Sequence, residues 1–264
     1  IITFEILKKA LDSRKNHFSY NYSIALSVRN EHKYHIKEAI PYTPYHYEPI
    51  IATNDKIRPI IIGFGPSGIF AGLILAQAGL KPIILEKGSS MHQRITKVNH
   101  YWKTGEIDPE CNVQFGEGGA GTFSDGKLTT RIKDNRVKKV IEEFIEAGAD
   151  ESIRYEAHPH LGTDKLRFIV PNLRNKIISL GGEVFFDTEV KDISIENNQI
   201  TAIQLKDKVL PCTHILLCAG HSASDLFKNL TNKIHIEPKD FAIGVRVEHP
   251  QSLINENQHM HYAD

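Results

Sequence analysis

Phe18, Tyr20, Tyr22, Ile24, Leu26 and Val28 fall on every second position of HFSYNYSIALSV, and a period of two puts all six on one face of a strand. Ahead of them, Phe4, Leu7 and Leu11 recur at three- and four-residue spacing, which predicts a short amphipathic helix over residues 1 to 12. A helix followed by a half-buried strand reads as a small α+β module. Pro41, Pro44, Pro49 and Pro59, with aromatic residues between them, interrupt both periods and predict a linker. The texture changes near Asp55, where a second domain is expected to begin.

There RPIII (58 to 62) is a short β-branched run, GFGPSG (63 to 68) a tight turn, and IFAGLILAQAG (69 to 79) a helix with Ile69, Phe70, Leu73 and Ile74 as its apolar stripe. Pro66 suits a first helical turn and Gly79 a left-handed exit. PIILE (82 to 86) follows as a second strand, so two strands joined by a crossover helix predict a parallel sheet with helices packed on it. RITKVNHYWK (94 to 103) predicts a further helix. Val137, Val140, Ile141, Phe144 and Ile145 predict another, started by Asp134 and ended by Gly148. Leu173, Ile177 and Leu180 mark one more, closed by Gly181. EVFFDTEV, KDISIE and QITAIQL then read as strands, with Asn197 and Asn198 turning the hairpin between the last two, and THILLCAGHSA (213 to 223) reads as a final buried strand ending in a glycine turn. The expected organisation is residues 1–54 as the small module and linker, 55–224 as an α/β dinucleotide-binding domain of Rossmann type with a β-meander, and 225–264 as the start of a substrate domain.

Charge removes several function classes. Lys plus Arg and Asp plus Glu both total 32 among 264 residues, so the formal net charge is zero and neither nucleic acid nor an anionic membrane is an expected partner. No apolar run approaches bilayer-spanning length and nothing marks secretion, which makes the cytoplasm the default address. Cys111, Cys212 and Cys218 form no C-x-x-C pair and read as small buried hydrophobes. The fourteen histidines are scattered without carboxylate or cysteine partners at ligand spacing, so no metal is expected.

The chemistry lies in the glycines. In G-x-G-x-x-G, placed after a strand and opening a helix, Gly63 permits the tight turn, Gly65 lets the backbone approach a pyrophosphate, and Gly68 with Gly72 lets the helix press on the sheet. The helix N-terminus then favours an anion without any basic side chain. Glu86, at the end of the second strand, is placed to accept ribose hydroxyls and to repel a 2′-phosphate, which fits FAD or NAD. A second segment, QFGEGGAGTFSDGKL, carries five glycines between Gly116 and Gly126. Its G-T-F-S-D-G-K has the spacing of a triphosphate loop, but Leu128 stands where a magnesium-binding Ser or Thr is needed and Asp125 would repel phosphate. Backbone amides of such a segment can instead reach a pyrophosphate or a flavin ring from a second side, and a flavin-free NAD domain has no use for it.

At this point the chain resembles the bacterial FAD-dependent dehydrogenases, an NAD(P)/FAD-dependent oxidoreductase family of the glutathione-reductase-like flavin fold. The resemblance rests on GFGPSGIFAGLILAQAGLKPIILEKG (63 to 88), NVQFGEGGAGTFSDGKL (112 to 128), PHLGTDKL (159 to 166), LLCAGHSA (216 to 223) and AIGVRVEHPQSLI (242 to 254). It implies that Gly63, Gly65, Pro66, Ser67, Gly68, Glu86 and Lys87 hold the ADP half of FAD, and that Gly118, Gly119, Gly121, Thr122, Phe123 and Ser124 lie along the flavin half. It also implies that Val190 offers backbone to the adenine and that Ala219 and Gly220 lie near the pyrophosphate. His160, Thr163 and Asp164 are candidates for a substrate pocket, against the simpler reading of a polar loop. The resemblance further implies a longer chain that returns late to the cofactor, so this sequence, opening on Ile1 and stopping soon after GVRVEHP, reads as a fragment. The expected activity is hydride or electron transfer through non-covalent FAD, with reduced NAD(P)H as a candidate donor. A flavin-binding sensor without turnover and a flavin-free NAD dehydrogenase stay open. The substrate, a small molecule, is not identified by the sequence, nor are the catalytic residues or the oligomeric state.

Overall fold

The computed structural model describes residues 1–12, 18–53, 58–123, 126–240, 243–245 and 247–255. These fall into two compact units, one of Ile1–Thr43 with Tyr155–His158 and Ile236–Asp264, the other of Pro44–Arg154 with Pro159–His235.

In the first unit, β1 (Thr3–Asp12) pairs antiparallel with β2 (Ser19–Ser27). The helix expected over residues 1 to 12 is therefore a strand. The register shift between Ile6 and Lys8 explains the misleading spacing: Phe4 and Ile6 face Leu26 and Ile24, whereas beyond the shift Lys9 and Leu11 face Tyr22 and Tyr20. One extra residue moves the apolar set from even to odd positions, and a strand with a bulge then mimics helical periodicity. The Lys9 ammonium sits 4.7 Å above the Tyr20 ring. Lys9 also bridges to Glu156, its N–H bonding the Tyr155 carbonyl at 2.7 Å.

The second unit holds the α/β domain. In chain order it contains β3 (Ile60–Ile62), α1 (Pro66–Gln77), β4 (Ile83–Leu85), α2 (Met91–Thr104), α3 (Arg136–Glu146), α4 (Gly162–Ser179), β5 (Glu183–Phe185), the meander β6 (Val190–Glu196), β7 (Gln199–Leu205) and β8 (Val209–Pro211), then β9 (Ile215–Leu217) and α5 (Ser224–Leu230). The strands β5-β4-β3-β9 form one parallel sheet in that order, and β6-β7-β8 form a separate antiparallel sheet. Among the described residues from 41 to 59, where the prolines predict a linker, neither helix nor strand forms.

Both faces of the two central strands, β4 and β3, are buried, which is why those strands read as unbroken apolar runs. Ile61 and Ile84 point to one side, against Ile69 and Leu73 of α1 and Leu166, Ile169, Leu173 and Ile177 of α4. Ile60, Ile62 and Leu85 point to the other, against Val190, Ile193, Ile203 and the α5 leucines Leu226 and Leu230. A Cβ at Gly72 would stand 2.5 Å from the Ile84 Cδ1, so glycine there sets how closely α1 approaches the sheet. Asn197 and Asn198 both take positive φ, 49° and 61°, as the hairpin requires. α4 begins eleven residues before Leu173 and continues through Pro171, because Leu166, Ile169 and Val170 extend the same buried stripe. β8 escaped the sequence reading; it is a three-residue edge strand, and Pro211 is tolerated there.

α1, α3 and α4 are joined by one buried carboxylate. Glu143, 1% exposed, accepts hydrogen bonds from Lys139 (2.5 Å), Lys176 (2.7 Å) and Gln77 (2.8 Å). Burial pushes its pKa up, but the bonds from Lys139, Lys176 and Gln77 outweigh this and hold the carboxyl below its ordinary value of 4.5. A depressed folded-state pKa gives stability that is present above the ordinary value and is lost as pH falls through the folded one. Glu143→Gln is expected to cost about 2 kcal/mol at neutral pH, since Lys139 and Lys176 can swing toward water and recover part of the loss. Urea titrations should show that difference shrinking as pH drops below the ordinary glutamate range; a pH-independent difference would mean the charge is not what matters.

Among the described residues no helix is long and apolar enough to cross a membrane. Cys111 is buried, and Cys212 and Cys218 are half-buried free thiols, the Cys212 pKa being pushed up by burial.

Candidate functional site

The site begins where β3 turns into α1. Gly63 has φ +101°, and a Cβ there would lie 2.4 Å from the Cys218 carbonyl oxygen, so neither the turn nor its contact with β9 admits a side chain. A Cβ on Gly68 would lie 2.0 Å from the Gly63 carbonyl oxygen, which shows how tightly the helix start is pressed into the turn. α1 has Gly65 as its cap residue, Pro66 in its first turn, no side-chain cap and no acidic residue in that turn. Pro66 and Ser67 are exposed. The amides of Ser67 and Gly68 thus have no intrahelical acceptor and lie at the positive end of a twelve-residue helix.

The second glycine segment is laid across this turn. The Gly118 N–H donates to the Phe64 carbonyl at 2.9 Å, and a Cβ on Gly119 would meet the Gly65 Cα at 3.0 Å and the Pro66 Cδ at 3.2 Å. Gly116, Gly118 and Gly119 all have positive φ, 118°, 85° and 64°, a path that L side chains rarely follow. Thr122 is buried with its Oγ1 under Gly118, Gly121 borders open space, and Phe123 is half-buried. The two glycine motifs, fifty residues apart in sequence, are therefore one backbone surface around an uncapped helix end. Ser124, and Asp125 beside it, lie outside the described residues.

Glu86 fixes this arrangement from beneath. Its carboxylate is 6% exposed and accepts three backbone N–H bonds, from Phe64 at 2.7 Å and from Gly88 and Gly116 at 2.9 Å each. A carboxylate offers about four acceptor positions. The ribose role expected for Glu86 has room for one hydroxyl, and accepting both would displace an amide. Lys87 pairs with Glu189 at 3.3 Å and stands 5.1 Å over the Phe115 ring.

The remaining expected residues divide. Cys218 and Ala219 follow β9 against Gly63, with the Ala219 Cα 3.1 Å from a Cβ built there, and Gly220 comes next at φ +70°. Val190 opens β6, its side chain buried beneath the parallel sheet. His160 lies in an antiparallel bridge with Lys127, flanked by hydrogen bonds from Leu128 N–H to the Pro159 carbonyl (3.0 Å) and from Leu161 N–H to the Gly126 carbonyl (2.9 Å). Thr163 and Asp164 follow in the first turn of α4. The substrate-pocket candidates thus adjoin the far end of the glycine-rich segment instead of forming a detached loop.

Four charged residues escaped the sequence reading. Arg94, fully buried, donates to the carbonyls of Asn112 (3.0 Å), Val113 (3.2 Å), Gly116 (3.4 Å) and Glu117 (2.6 Å). Burial lowers its pKa to about 10, against the pull of Cys111, Glu86 and Glu117. Glu117, also fully buried, accepts from the Met91 N–H at 2.6 Å and from Arg174 at 2.8 Å, while its Oε1 has no partner. Burial pushes the Glu117 pKa up. Arg167 stands over the Phe123 ring at 5.1 Å, Arg94 over the same ring at 4.7 Å, with Trp102 edge-on at 6.1 Å. One signal was visible: Arg94 falls on the apolar stripe of α2 between Met91 and Val98, a place where a charge needs buried partners.

A 42% identical protein of Clostridium beijerinckii, described as uncharacterised, aligns over 98% of this chain and 50% of its own length. A probable electron transfer flavoprotein-quinone oxidoreductase of Escherichia coli is 23% identical over 74% of the chain and 43% of its own length. The chain spans about half the length of the curated relatives it matches. Among solved structures, THI4 of Thermovibrio ammonificans superposes with a TM-score of 0.45 at 16% identity, over 69% of this chain and 64% of that one. No protein-family model matches the chain.

Proposed function

We propose that this chain carries the cofactor-binding part of an FAD-dependent oxidoreductase. The observation that carries the reading is the contact of Gly119 with Gly65 and Pro66 at the uncapped start of α1. A mononucleotide needs one glycine turn; a second glycine pair, Gly118–Gly119, laid against it suits a dinucleotide that continues past its diphosphate. The flavoprotein named among the relatives supports flavin over nicotinamide as the resident group.

The residues present fit the cofactor. The Ser67 and Gly68 amides would face the diphosphate, the remaining Glu86 acceptor one ribose hydroxyl, the Gly118–Gly119 backbone the flavin half, and Ala219 and Gly220 the flank of the diphosphate. When bound, FAD supplies reversible two-electron storage, with NAD(P)H as the proposed donor and a small molecule as the substrate. The protein's own contribution is positional: it fixes amides around a polyanion without placing a basic side chain in the turn, and it places His160, Thr163 and Asp164 beside the end of the glycine-rich segment.

The visible absorption spectrum of the desalted chain, before and after incubation with FAD, tests this. A retained two-band flavin spectrum is expected. Uptake of NAD with no uptake of FAD would overturn the flavin assignment while leaving the dinucleotide surface intact.

A further inference from the structure

The cluster around Phe123 is unbalanced in charge. Arg94 is surrounded by four carbonyls and lies near Glu86 and Glu117, and Arg174 is paired with Glu117. Arg167 has neither kind of compensation. Its guanidinium is half-buried over the Phe123 ring, its Nε is buried without a hydrogen-bond partner, and it makes no ion pair among the described residues. Removing part of a guanidinium from water is costly unless an anion or an acceptor replaces that water, and a ring that also takes Arg94 is weak replacement. Among the described residues of this cluster, three arginines meet the two carboxylates Glu86 and Glu117, and Arg167 is the arginine without an ion pair.

Its position gives that charge a direction. Arg167 lies one turn beyond Thr163 on α4, so the two share a helix face, and Phe123 carries it against the end of the glycine-rich segment. The diphosphate already has the α1 N-terminus, which needs no arginine. We propose that Arg167 is the anchor for a carboxylate group of the substrate, so that the substrate class is a small carboxylic acid held in its anionic form. This rests on the flavin reading only for calling the ligand a substrate; the anion site itself stands on Arg167, Phe123 and the absence of a counter-ion among the described residues. A planar guanidinium matches a carboxylate through two parallel N–H bonds, and its stacking on Phe123 fixes the plane in which they form.

The test does not need a flavin. Trp102 is the chain's single tryptophan and touches the Phe123 ring edge, so its fluorescence reports on this cluster. Succinate, added to the chain at ionic strength held constant with sodium chloride, is expected to change Trp102 emission saturably. Arg167→Met should weaken that response about tenfold or more, Arg167→Lys less, the difference expected for losing a charge-assisted pair. FAD uptake by Arg167→Met should equal that of the parent chain. No saturable response in the parent, an equal response in Arg167→Met, or an equal response to neutral succinamide would each overturn the proposal. So would a loss of FAD uptake in Arg167→Met with no succinate response in the parent, because Arg167 would then serve the cofactor's phosphates. An Arg167-dependent succinate response in a chain that takes up no FAD would support the anion site and sink the flavin reading instead.

Discussion

Glu86→Ala should destabilise the chain by about 4 kcal/mol, because it leaves three buried amide donors without an acceptor at once. Those donors belong to Phe64 in the first glycine turn, Gly88 beyond β4, and Gly116 in the second glycine segment. Gly88 and Gly116 have no side chains to pack, so the shared acceptor helps tie them to the Phe64 turn. Glu86→Gln can keep its carbonyl oxygen toward Gly88 and Gly116, which share one carboxylate oxygen, but it turns an N–H₂ toward the Phe64 amide, so it should lose less than Glu86→Ala. The measurement is urea unfolding of the chain in the absence of any cofactor. A carboxylate serving only a ribose would leave that curve unmoved and weaken FAD uptake alone. If Glu86→Ala unfolds at the parent's urea midpoint, the glycine surface is not held by Glu86 and the arrangement described above is wrong.

The same residue shows what was legible in the sequence. Its place at the end of β4 was readable from the strand–turn–helix order, because β-branched runs and glycine spacing are local properties. Its three partners were not, because hydrogen bonds from Phe64 and Gly116 cross 22 and 30 residues of chain. The parallel sheet, α1, α2, α3 and the meander hairpin were readable for the same local reason. β1 was not, since its register shift reproduces a helical spacing, and only pairing with β2 reveals the strand. The start of α4 was hidden by the polar run GTDK and by Pro171 inside the helix. In the site, the glycines announced themselves by type and Arg94 by its place on the apolar stripe of α2, whereas Glu117, Arg167 and Arg174 looked like ordinary surface charges. A charged side chain declares itself as buried only once the elements that bury it are placed.

Arg94→Met is expected to cost about 3 kcal/mol, and the loss should depend on pH in a direction set by Glu117. At neutral pH the buried guanidinium is itself expensive: its pKa is held down to about 10, so the carbonyls around it only partly replace water. Its value lies in what it organises, the carbonyls from Asn112 to Glu117 and the charge of Glu117 beside them. Without Arg94, Glu117 keeps Arg174 but loses its second cation, and burial already pushes its pKa above the ordinary 4.5. A raised folded-state pKa means that stability is full below the ordinary value and is lost as pH rises through the folded one. Arg94→Met should therefore lie closer to the parent in acid than at neutral pH. Adding Glu117→Gln should recover part of the neutral-pH loss, since it removes the stranded charge, and a double-mutant cycle would measure that coupling. Arg94→Lys should fall between, because three donors on one nitrogen cannot span four carbonyls that a planar fork reaches together. Additive losses from Arg94→Met and Glu117→Gln at every pH would show that the two charges do not act as a pair, and the loop's shape would then have to come from its glycines alone.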